Sequence, residues 1–116
     1  MDNILTSVKA MLGMTEDYEY FDQSLLFHIN TVFSILTQMG VGPKDGFVLY
    51  NKNAQWSDFM PEGKKLEMCK TYVFLKTRLM FDPPTSSVVL DAINRQIGEL
   101  EWRINATVDP GGENSK

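Results

Sequence analysis

The chain has one cysteine and one histidine in 116 residues, and these two scarcities remove much of the chemistry open to a small protein. A lone thiol, Cys69, cannot close an internal disulfide and suits a reducing compartment. One His with one Cys cannot supply a His/Cys zinc site. No uninterrupted apolar run approaches the length a membrane span needs. The opening stretch MDNILTSVKAML carries an acid at position 2 and no cationic start, so it does not read as a secretory signal. Positive charge is also short. Eleven Lys and Arg stand against 15 Asp and Glu, a net charge of −4, which argues against a protein that grips nucleic acid through phosphate contacts. The glycine-containing stretch GVGPKDG lacks the lysine–hydroxyl ending of a P-loop.

What is present is an ordinary globular composition, 43% hydrophobic and 22% charged, in a length that fits one domain with a modest core. The pattern centres on residues 63–84, GKKLEMCKTYVFLKTRLMFDPP. On a helix, Leu66, Cys69, Val73, Thr77 and Met80 form one stripe, and Met68, Tyr72, Leu75 and Leu79 form a second on roughly the opposite side. A surface helix needs one apolar stripe, so this helix is expected to be covered on two sides, one of them by another subunit. Pro83 and Pro84 stop it at Phe81.

Around it the chain predicts three further helices. The first is capped by Asp2 or Asn3, carries Ile4, Leu5, Val8, Met11 and Leu12, and stops at Gly13. An acidic turn over 15–19 leads to the second, about Tyr20 to Met39, with Leu25, Leu26, Ile29, Val32, Phe33 and Leu36 on its main stripe. Phe27 and Ile35 fall off that stripe. Residues 40–61 break the pattern. Here Phe47–Tyr50 reads as a short extended segment and Trp56–Phe59 as a helical turn capped by Ser57 or Asp58. A connection this long is often a binding loop. The competing reading makes Phe47, Trp56 and Phe59 core plugs. The last helix, from a Thr85 or Ser86 cap to about Thr107, carries Val89, Ile93, Ile97, Leu100 and Ile104. Glu99 and Arg103 stand i, i+4 on it. Trp102 lies about 180° from that stripe, beside Asp91, Arg95 and Gly98. The fold class is therefore all-α, a compact four-helix domain over 1–108 with a long loop between the second and third main helices. The apolar-free stretch 109–116 is expected to be a flexible tail.

No catalytic, metal or cofactor site is expected. Cys69 falls among Leu66 and Val73, where a structural thiol is expected rather than a nucleophile. His28 stands opposite the core stripe as a surface or interface residue. The acids Glu16, Asp17 and Glu19 lack the spacing of a calcium loop. Charge is uneven, with five acids against Lys9 within residues 1–22 and five bases against two acids within 62–81. This reads either as solvated faces or as head-to-tail complementarity between identical neighbours. The candidate protein-interface residues are Phe47, Tyr50, Trp56, Leu75, Leu79, Arg95 and Trp102.

The segments NILTSVKAMLGM, HINTVFSILTQMGVGPKDGF, WSDF and KTYVFLKTRLMFDPPTSSVVLDAINRQIGELEWRIN together resemble the head–tail connector (head-completion, adaptor) proteins of tailed bacteriophages, over about residues 3–105. The resemblance rests on structural residues and no catalytic motif. It implies a non-enzymatic virion protein, assembled in the host bacterial cytoplasm as a ring of about twelve copies. Such a ring docks on the portal, extends the DNA channel without binding DNA specifically, and carries the stopper or tail-completion protein. It also implies that residues 105–116 reach the portal and order on assembly. A reading from another class is a small helical phage-encoded regulator that binds one host protein through Trp102 and the long loop.

Overall fold

In the computed structural model, which describes residues 2–108, the helices are α1 (Ile4–Met11), α2 (Asp22–Gln38), the single turn α3 (Trp56–Phe59), α4 (Lys64–Phe81) and α5 (Ser87–Ala106). The expected tail at 109–116 lies outside the described residues. Local chemistry sets the ends. Asn3 Oδ1 accepts the Thr6 N–H at 2.9 Å to cap α1, and Gly13 leaves the helix at φ +84°, where glycine pays no Cβ penalty. Ser86 Oγ accepts the Val89 N–H at 3.3 Å to cap α5. Helix α4 ends at Phe81, as the two prolines after Asp82 require.

Helix α4 packs against both α2 and α5. Its first stripe, Leu66, Cys69, Val73 and Thr77, is buried, and Tyr72 and Leu75 of the second are buried as well. The Tyr72 hydroxyl donates to Glu101 of α5 at 2.8 Å, which identifies α5 as the cover of the second stripe. The expectation that another subunit covers one side of α4 is thus corrected: the chain's own last helix lies there. Leu75 is 6% exposed and Leu79 packs half-buried against the core, so both belong to intrachain packing. Helix α2 contributes Leu25, Ile29, Val32, Phe33 and Leu36, all fully buried. The ends of the predicted stripes turn outward, and Met11, Met80 and Val89 are exposed.

The long connection from α2 to α4 is packed rather than free. Phe33 meets Phe47 at 5.0 Å and Phe59 at 4.8 Å between ring centroids, and Trp56 is 1% exposed. Phe47 and Trp56, expected at an interface, are therefore core plugs. The Phe47–Tyr50 segment pairs with no strand. Instead Asn30 of α2 receives the Leu49 N–H at 2.7 Å and donates to the Leu49 carbonyl at 3.0 Å, so one side chain satisfies both backbone groups that a neighbouring strand would have paired. The α3 turn begins after Gln55, whose N–H is taken by Asp58 Oδ2 at 2.9 Å. Ser57, predicted as a cap, lies inside the turn and bonds Asp2. Gly42 is forced by space as well as by φ +92°, since a Cβ there would stand 2.4 Å from Phe59 Cε1.

Leu75→Asp should destabilise the monomer by on the order of 3 kcal/mol or more, because it places an unpaired carboxylate between α4 and α5. Chemical denaturation of the subunit, measured apart from any assembly, checks this.

Candidate interaction surfaces

Helix α2 meets the core with Leu25 and Ile29, so Phe27, about 200° round from Leu25, must point outward. It is 71% exposed. The Asn30 clamp brings the loop down beside it and leaves Tyr50, one residue past Leu49, 89% exposed. Between them runs a groove of about 580 Å³ lined by Leu26, Phe27, Asn30, Leu49 and Tyr50, with Glu19, Asp22 and Lys52 also on its walls. Tyr20, also strongly exposed, stands at the same end of α2.

The acidic side of this groove is fixed by a lysine drawn inside. Lys9 of α1 is 2% exposed and donates to Asp22 Oδ1 at 2.8 Å and to the Glu16 carbonyl at 3.0 Å. The buried ammonium thus has a carboxylate and a carbonyl in place of water. Lys9 stood out in the sequence as the one base among the acids of residues 1–22, on the edge of the first helix's stripe. That was the signal for this contact. Glu19 pairs with Lys52 at 3.0 Å, both exposed, and that contact raises the Lys52 pKa. Glu16 and Asp17 make no ion pair among the described residues.

A second surface lies on α5, turned away from α4. Trp102 is 72% exposed and Val88 75%, and Arg95 is exposed with no ion pair among the described residues. A Cβ added at Gly98 would meet nothing within 4 Å, so the space beside the indole is open. Of the residues expected at an interface, then, Tyr50, Arg95 and Trp102 reach the surface, while Phe47, Trp56, Leu75 and Leu79 face inward to varying degrees. Phe27 and Tyr20 join the exposed set. Phe27 was legible as an aromatic off the stripe of α2. Tyr50 needed the Asn30 clamp to place it beside Phe27.

The titratable groups inside the core serve packing. Cys69 is fully buried, and burial pushes its thiol from 9.0 up to about 11, the opposite of an activated nucleophile. His28, expected on the surface, is half-buried against Phe81 at 6.5 Å between centroids. Its Nδ1 and the buried Thr77 Oγ1 have no hydrogen-bond partner among the described residues. Burial, followed by its hydrogen bond to Glu101, also raises the Tyr72 pKa. Both acids hold their protons more tightly when folded than when unfolded, so the folded state loses stability as pH rises above about 9. The denaturation midpoint should fall between pH 9 and 11, less steeply in Tyr72→Phe, and a thiol reagent at pH 8 should label Cys69 only as the chain unfolds. Cys69→Ala and His28→Ala should leave biological activity largely intact in a complementation assay, since neither residue has the partners that nucleophilic or acid–base work needs.

Trp102→Ala should leave monomer stability within about 0.5 kcal/mol of the parent, as expected for an exposed position, and abolish assembly. A melting curve paired with a mass measurement reads both. Ready unfolding of the mutant monomer would place Trp102 in the core.

Comparison with known families gives a match to the model described as phage connector protein, over residues 4–111. No curated protein and no solved structure matches the chain significantly. The matched region includes all five helices, the loop and both exposed surfaces. The chain belongs to the phage connector protein family, and its role is that of a head–tail connector component of a bacteriophage virion.

Proposed function

We propose that the chain is the repeating subunit of a ring of about twelve copies that docks on the portal, lengthens the DNA channel and presents a platform for the stopper or tail-completion protein. The observation that carries this reading, beside the family, is the uncovered aromatic surface. Tyr50, Tyr20, Phe27 and Trp102 are each more than two-thirds exposed in a subunit whose core is otherwise closed. Aromatic residues of this kind are the usual anchors of protein interfaces. The net charge of −4 supports a channel component that DNA passes without sticking, because an acidic wall repels phosphate. No helix among the described residues is long and apolar enough to cross a membrane.

The test is the mass of the purified protein, alone and mixed with portal. A ring, free or bound to portal, is the expected result. A protein that stays monomeric and ignores portal would return the balance to a single-partner regulator.

A further inference from the structure

Residues 46–50 run without a turn or bend, and their burial alternates: Val48 is 49% exposed, Leu49 3% and Tyr50 89%. A period of two marks an extended backbone. There the N–H and C=O of one residue point to one edge, and those of its two neighbours point to the other. Asn30 occupies the Leu49 edge, receiving the Leu49 N–H at 2.7 Å and donating to its carbonyl at 3.0 Å. The N–H and C=O groups of Val48 and Tyr50 therefore face away from α2. None of them enters a hydrogen bond among the described residues. Buried backbone groups are almost always paired, and both residues are exposed, so this edge is open to solvent. We infer that the Val48–Tyr50 edge is a docking site for an extended segment of a different protein, which adds to it as a β-strand.

The chemistry of the edge selects the occupant. Its donors and acceptors recur at two-residue spacing, and another extended backbone matches that array group for group. Proline is excluded from the paired positions of the incoming segment, because it has no N–H to give. The edge is also held ready. Leu49 is buried in the core and fixed at both backbone groups by Asn30, so binding need not order the loop first. The exposed side chains suit the same contact, since β-branched and aromatic residues such as Val48 and Tyr50 pack well against cross-strand neighbours. The source of the segment follows from symmetry. The Asn3–Gln55 bridge, the other strand-like pairing among the described residues, is closed within the chain. Pairing of the Val48–Tyr50 edge with its own counterpart in a second copy would be isologous and would stop at a pair. A connector component instead joins other virion proteins. The inference holds whether or not the subunit closes a ring.

The experiment is amide hydrogen exchange at single-residue resolution, on the purified full chain and on necks isolated from virions. In the purified chain the Val48 and Tyr50 amides should exchange quickly while Leu49, held by Asn30, exchanges slowly. In the neck all three should be slow, with Val48 and Tyr50 slowed by about tenfold or more. Fast exchange at Val48 and Tyr50 in the neck would overturn the inference. Slow exchange at both in the purified chain, together with a dimer mass, would overturn it in favour of a second copy. Val48→Pro removes one edge donor that has no partner within the chain. It should leave the melting temperature close to that of the parent and lower incorporation into virions by about tenfold. Tyr50→Ala keeps the backbone and should lower incorporation less. Normal incorporation of Val48→Pro, or a larger loss from Tyr50→Ala, would also overturn strand addition. Should the proline variant fold poorly, the exchange comparison decides alone.

Discussion

Helix α4 must be covered on two sides, and most of the architecture follows from how the chain meets that requirement. A helix with Val73 and Tyr72 both fully buried cannot lie on a surface. Helix α2 takes one stripe and α5 the other. The sharp corner at Pro83 and Pro84 allows α5 to fold back along α4 rather than continue away from it. The demand met within the chain leaves α5 itself with only a narrow inward stripe. Its outer half, Trp102 included, has no cover among the described residues. Burial satisfied in the middle helix has moved the exposed apolar surface to the edges, where neighbours can reach it.

Much of this was legible in the sequence. The two stripes of residues 64–81, the stop at the prolines, the caps at Asn3 and Ser86 and the outward phase of Trp102 follow from spacing and local chemistry, and the helices appear within a residue or two of their expected ends. What spacing could not supply was partnership across the chain. The second stripe of α4 announced that it needed a cover without saying whose. Periodicity describes one helix at a time, and Tyr72 meeting Glu101 links positions 29 residues apart. The same limit put Trp56 and Leu75 on a surface, because large apolar residues look alike in sequence whether they plug a core or anchor a contact.

The surfaces were legible in part. Trp102 and Arg95 lie on a regular helix, where the phase of the buried stripe fixes what faces outward. Tyr50 sits in a loop without period, and its exposure follows from the pair of hydrogen bonds by which Asn30 holds Leu49. An asparagine in the middle of a helix carries no sequence mark of that duty. Lys9 gave a fainter sign: a base on the edge of an apolar stripe, close to an acidic turn, is a candidate for burial with a carboxylate. Its bond to Asp22 ties α1 to the start of α2 and so fixes the acidic edge of the groove.

The seam between the first residues and the long loop has an entropic meaning. Trp56 N–H donates to the Asp2 carbonyl at 2.7 Å, Ile4 N–H to Ala54 at 3.1 Å, and the Trp56 indole to Ser7 Oγ at 2.9 Å. These bonds close a span of roughly fifty residues, an entropic cost that must be met before any of them forms. The bonds therefore make a clasp of α1 with the loop. Asn3 also donates to the Lys52 carbonyl at 2.7 Å, so the clasp reaches the loop two residues past Tyr50, and its stability sets how rigid a surface the subunit offers there.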